Sequence, residues 1–128
     1  MRRTTNNTTA GFTLLEIMII VAIIGLLAVL AIPTFIKARK LSQGRRILND
    51  ARLQDTAICQ WALDNGKKDG DTIAGNETLI QTYLKVAWRS TDLLGNSYII
   101  GNVGTNQLRI ADETKSALDG VGIDWGAF

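Results

Sequence analysis

The chain has 128 residues, with 14 Lys and Arg against 12 Asp and Glu for a formal charge of +2, one cysteine and no histidine. That length accommodates one modest domain. The absence of histidine excludes Ser-His-Asp and Cys-His catalysis, imidazole zinc sites and the commonest general base. The lone Cys59 can form no disulfide within the chain and reads as a small buried apolar residue on a helix, with a bridge between chains as the alternative. A membrane-anchored enzyme would need a catalytic constellation, and the scattered acids supply none.

The charge is unevenly spread. Residues 1–11 carry Arg2 and Arg3 and no acid, so 14 basic residues less two leave 12 against 12 in the rest. Residues 37–55 then hold six basic side chains (Lys37, Arg39, Lys40, Arg45, Arg46, Arg52) against Asp50 and Asp55. Beyond Asp55, six basic residues face nine acidic ones. Such a neutral dipole suits head-to-tail packing of copies better than binding to a polyanion.

In chain order, residues 1–10 are short, polar, basic and rich in Thr and Asn, like the start of an export signal. The apolar run that follows is too long for a cleaved secretory signal, and no Ala-x-Ala site ends it. Gly11-Phe12-Thr13-Leu14-Leu15-Glu16 leads into residues 17–36, which hold no charge before Lys37. About 20 apolar residues cover a hydrocarbon core, so this stretch can span a bilayer. Glu16 sits just inside it, where a charge costs about 2–4 kcal/mol or more unless paired. A mere anchor would be better served by Leu, so Glu16 is a candidate functional residue in search of a partner. Arg2 and Arg3 argue for a cytoplasmic start, while the basic cluster after Ile36 argues the reverse, and charge alone leaves the orientation open.

A glycine, a phenylalanine and a glutamate at this spacing, behind a basic leader and ahead of an apolar helix, resemble the class-III signal of type IV pilins and pseudopilins. The resemblance runs closely from Gly11 to about Lys40 and includes a proline at Pro33. It implies removal of residues 1–11 by a prepilin peptidase on the cytoplasmic side, N-methylation of the new N-terminal Phe12, and a domain outside the cytoplasm. It implies a subunit anchored by a single pass in the cytoplasmic membrane. Its partners would be lipid, copies of itself, other pseudopilins, the inner-membrane assembly platform and that platform's ATPase. Cleavage creates an amine on Phe12 that a displaced neighbour could set beside Glu16, turning two charges costly in lipid into one compensated pair. The plainer alternative is a carboxylate that reaches the interface from the helix end.

Gly25 weakens the helix and Pro33 removes one of its hydrogen bonds and crowds the carbonyl of Val29. Residues 25–33 are therefore expected to kink, melt locally or bend gently. Past Pro33 the helix should resume through residues 37–65, with Ile47, Ala51, Ile58, Trp61 and Ala62 on one face, interrupted by Gln54. Arg39, Arg46 and Asp50 fall on the other face. The basic residues at its start read as headgroup or intersubunit contacts. No interleaved aromatics support nucleic-acid stacking, so no nucleic-acid partner is expected. Asp64-Asn65-Gly66 should end the helix, with Gly66 as a left-handed cap.

Asp69-Gly70-Asp71 fails the EF-hand template, because Ile73 and Ile80 fall where oxygen ligands are required. Asn76 is expected to cap a short helix through about Lys85. Residues 98–100 and 107–111 read as strands joined through Gly104-Thr105-Asn106. Asp92-Leu93-Leu94-Gly95-Asn96-Ser97-Tyr98 faintly resembles the Asp-Pro-Trp-Gly-Asn-x-Tyr segment of major secretion pseudopilins, without the Pro and Trp. In those relatives calcium fixes the C-terminal loop. By that likeness Asp112, Glu113, Asp119 and Asp124 are weak calcium candidates, and a solvated acidic face is the default. The tail, with Trp125 and Phe128, should pack on the sheet.

The expected fold is α+β and pilin-like. It comprises a leader (1–11), a transmembrane or filament-core helix (12–36), an amphipathic helix (37–65) and a small domain around an antiparallel sheet (66–128). The expected function is that of a pseudopilin polymerised into a periplasmic filament of a type II-like secretion system, because the domain is small and lacks the C-terminal disulfide loop usual in adhesive pilins. A pilus subunit for adhesion, motility or DNA uptake is the alternative. No cofactor other than calcium is expected.

Overall fold

Helical spacing sets Ile47, Leu48, Ala51, Ile58, Trp61 and Ala62 on one stripe, and the small domain is built on it. The computed structural model describes residues 11–128; the expected leader, apart from Gly11, lies outside the described residues. One helix, α1 (Leu14–Asp64), carries the stripe, and each of its six residues is at most 8% exposed. Contacts divide the chain between Ile36 and Lys37.

In the first part the sequence supplies almost nothing but apolar side chains, and almost all of residues 14–36 are exposed. The stretch is long and apolar enough to cross a membrane. α1 passes through Gly25 and Pro33 without a break in helical assignment, so the locally melted turn is not present in the single chain. Proline withdraws one N–H only, and the helical bonds on either side of it hold the remaining backbone in place. Thr34 Oγ1 meanwhile donates to the carbonyl of Ala31 at 2.8 Å.

In the second part α1 stops where Gly66 takes φ +60°. Lys67 N–H donates to the Ala62 carbonyl at 2.8 Å and Gly66 N–H to that of Leu63 at 3.3 Å, the paired bonds of a Schellman cap. A loop leads to α2 (Glu77–Ile80), a 3-10 turn (Gln81–Tyr83), strands β1 (Ile99–Ile100) and β2 (Leu108–Arg109), and α3 (Asp112–Ala117). The strands are antiparallel, with Ile99 opposite Arg109 and Ile100 opposite Leu108. Gly104 at φ +111° and Asn106 at φ +62° make the reversal between them. Ile73, Ile80, Tyr98, Leu108, Ile110 and Leu118 close over the helix stripe, with Ile123, Trp125 and Phe128 of the tail packed against them. The fold is α+β.

Several expectations change in detail. The helix after Asn76 is one α-turn and one 3-10 turn, and Asn76 makes no side-chain cap. Its Nδ2 donates backward to the Thr72 carbonyl at 3.4 Å instead. The strands are shorter than the apolar runs: β1 stops before Gly101, and the backbone after β2 turns into α3 at Asp112. The sequence reading contains no counterpart of α3. Cys59 is exposed rather than buried: it falls off the apolar stripe, where Gln107 Nε2 lies 3.0 Å from its sulfur.

Candidate functional site

The strongest site is the start of α1. Thr13 occupies the cap position: its carbonyl accepts from Glu16 N–H at 3.1 Å and Ile17 N–H at 3.3 Å. Its Oγ1 also accepts from Glu16 N–H, at 3.2 Å. Thr-x-x-Glu is the sequence of a capping box, in which the glutamate carboxylate would reach back to the cap residue's own N–H. That second half is not made. Among the described residues the Glu16 carboxylate accepts no hydrogen bond and forms no ion pair. It stands exposed in the first turn, where the positive end of the helix dipole favours an anion. Phe12 beside it is 75% exposed. Among the described residues the site offers one negative charge without an ion-pair partner at the head of an apolar helix. Among the described residues it holds no nucleophile and no acid–base pair, and what it presents is an exposed carboxylate.

The second part of the chain contains a polar network around Asp92. Its Oδ1 accepts from Leu94 N–H at 2.8 Å and Asn96 N–H at 3.0 Å, which turns residues 92–96 back on themselves. Thr114, fully buried on α3, donates to Asp92 Oδ2 and accepts from Asn96 Nδ2 at 2.9 Å. Nearby, Arg89 pairs with Asp50 of α1 at 3.7 Å. Burial, reinforced by the charges of Asp50 and Asp92 and opposed by Arg89, pushes the Tyr98 phenol up to about 12. The Thr114 bonds tie residues 92–96 to α3, and the Arg89–Asp50 contact ties the preceding segment to α1.

The calcium candidates are not gathered together. Asp112 and Glu113 open α3, Asp112 pairing with Lys115 at 3.6 Å. Asp119 Oδ1 accepts from Gly120 N–H and Asp124 Oδ1 from Gly126 N–H. Among the described residues no three His, Cys, Asp or Glu side chains form a group that could hold a metal ion.

Comparison with known proteins bears on the same N-terminal stretch. The Prokaryotic N-terminal methylation motif matches residues 6–32, covering Gly11, Phe12, Glu16 and Gly25 and ending one residue before Pro33. The chain is similar to the type IV major fimbrial protein FimA of Dichelobacter nodosus, 36% identical over 95 residues, which cover 74% of this chain and 53% of the relative. It is similar to a fimbrial protein of Pseudomonas aeruginosa, 28% identical over 109 residues, covering 85% of this chain and 64% of the relative. It is also 30% identical over 106 residues to the type II secretion system core protein G of Escherichia coli K12, covering 73% of this chain and 72% of that protein.

The chain belongs to the type IV pilin and pseudopilin family. It spans about half the length of the FimA relative, and no solved structure matches it at a significant level. Within the family's N-terminal motif, sequence reasoning misses Thr13 as a functional position, although Thr-x-x-Glu ahead of an apolar run is a readable capping signal. It misses Gly44 as well, which is buried on α1 because Ile123 of the tail lies where a Cβ would stand. Thr114 carries no signal, since its role exists only once α3 has docked.

Proposed function

We propose that this chain is a structural subunit, not an enzyme. It would be cut after Gly11, methylated on Phe12, held in the cytoplasmic membrane with residues 37–128 on the outer side, and polymerised. The observation that carries the proposal is the exposed Glu16 carboxylate at the head of an exposed apolar helix, inside a match to the N-terminal methylation motif. A carboxylate in lipid requires a compensating charge, and cleavage generates one on Phe12. A neighbour displaced along a filament axis would bring its Phe12 amine to this Glu16, while the apolar surfaces of residues 14–36 pack against each other instead of lipid. A contact between two different surfaces propagates into an open helical array. Prepilin peptidase, an assembly platform and its ATPase are the machinery this reading requires. Residues 25–33 are the flexible segment that would adapt the helix to the filament.

Between the two kinds of filament, we favour the secretion pseudopilin, since the lone Cys59 cannot close, within these 128 residues, the disulfide loop usual in adhesive pilins. The pilus reading is favoured by identity, 36% to FimA against 30% to core protein G. Expression of the full chain with prepilin peptidase, followed by intact mass analysis, tests the processing. The expected product has the mass of residues 12–128 plus one methyl group. An uncut chain, or a cut elsewhere, would overturn it. Supplying either a secretin-linked export system or a retractile pilus system, each lacking its own major subunit, separates the two filaments by which one the chain restores.

A further inference from the structure

Two adjoining hollows on the second part of the chain share Leu53 and Val86 as a common wall. One, about 120 Å³, is lined by Arg46, Asp50, Gln54 and Arg89. The other, about 370 Å³, continues past Ala57, Tyr83 and Lys85. Together they make a groove along α1 with an apolar wall and a basic rim. Leu53 is 45% and Val86 54% exposed. At the bottom Gln54 is 3% exposed and its Oε1 has no hydrogen-bond partner. A buried amide oxygen gains from a donor placed against it, which a segment entering the groove can supply. Arg46 has no carboxylate within ion-pair distance among the described residues, and Arg89 has only the 3.7 Å contact with Asp50. With Lys85, the groove carries three cations against one anion.

The complementary surface is on the same chain. Asp112 and Glu113, at the start of α3, are exposed; Glu113 has no ion-pair partner among the described residues, and the Asp112 side chain, 81% exposed, has only Lys115. Asp119 and Asp124 differ, each already accepting a backbone N–H of its own loop. We propose that the groove receives the Asp112-Glu113 end of α3 from a second copy of this chain. The two carboxylates meet Arg46 and Arg89. The Gln54 Oε1, an acceptor, meets a backbone N–H of the entering segment. Leu53 and Val86 are covered. Groove and α3 are different surfaces, so the contact repeats along a filament. It rests on the filament reading above and adds to it a contact between the soluble parts.

The test uses the full chain expressed with its assembly machinery. Arg46→Glu is expected to lower filament yield about tenfold, reversing a rim charge at an interface, and Glu113→Arg in the same chain is expected to restore it. Arg46→Cys with Glu113→Cys, in a Cys59→Ser background, should give an oxidised ladder of chains on a non-reducing gel, with no ladder from either single variant. Circular dichroism of Arg46→Glu should match that of the unaltered chain. Unchanged yield from Arg46→Glu would overturn the contact. So would a loss that Glu113→Arg leaves unrestored, or cross-links from the Arg46→Cys thiol to a protein other than a second copy. Absence of filaments from the unaltered chain would count against the filament reading itself, whereas normal filaments with a silent Arg46→Glu would count against this contact alone.

Discussion

Thr13 Oγ1 accepts the backbone N–H of Glu16 at 3.2 Å. The helix is thus started by a bond to the backbone of Glu16, and among the described residues its carboxylate has no partner. A full capping box would have tied it down locally. Thr13→Ala should weaken the helix start by about 1 kcal/mol, and Thr13→Ser by much less. Hydrogen exchange at Glu16 and Ile17 in detergent micelles checks this: exchange should quicken in the Ala variant and stay near the native rate in the Ser variant.

A Cβ at Gly44 would collide with Ile123 Cδ1 and stand 3.4 Å from Leu118 Cδ1. Ile123 Cδ1 is the tip of a half-buried side chain and can swing aside. Helix propensity favours Ala over Gly by about 1 kcal/mol, so Gly44→Ala should be close to neutral. Gly44→Val has two methyls to place and a weaker propensity, and should cost about 1–3 kcal/mol by overpacking. Thermal unfolding of the detergent-solubilised chain ranks the two. Ile123→Ala in the Val background should recover much of the loss.

Thr114→Val keeps the shape of a fully buried side chain but removes its bonds to Asp92 and Asn96. Both partners are half-exposed, so water replaces part of what is lost, and the cost should be about 1–2 kcal/mol. Denaturant unfolding measures it. Exchange of the Leu94 and Asn96 amides should rise more than exchange in α1.

The Tyr98 phenol, held at about 12 by burial and by Asp50 and Asp92, makes stability depend on alkaline pH. Its folded value lies above its unfolded value near 10, so the contribution is fully present below pH 10. It is lost as pH rises from 10 towards 12, by about 1–2 kcal/mol once solvent screening of the neighbouring charges is allowed for. Tyr98→Phe should flatten that part of the melting temperature profile without altering it below about pH 9. An unchanged alkaline slope in the Phe variant would contradict the assignment.

The long helix, its end at Gly66 and its buried stripe were legible because they rest on local rules of periodicity and capping. Glu16 stands out without any fold, as a charge inside an apolar run, whereas Gly11 and Phe12 are singled out only by the resemblance of their motif. Cys59 was misplaced because its usual burial was read without its position relative to the Ile58 and Trp61 stripe. The strands were overextended because apolar runs do not record where partner residues end. α3 was hidden by reading Asp112 and Glu113 as candidate ligands, when acids in a first helical turn are also a start signal. Thr114 and Gly44 owe their roles to segments 18 and more residues away, which no local pattern reports.

The central claim is that Glu16 is half of a contact between subunits. Glu16→Leu removes the charge and makes the helix more apolar, so the lone chain should insert in the membrane at least as well as before. Filaments should be lost from cells that express this variant with the assembly machinery, as counted by electron microscopy against the unaltered chain at equal membrane abundance. Glu16→Leu filaments at undiminished number would contradict the account.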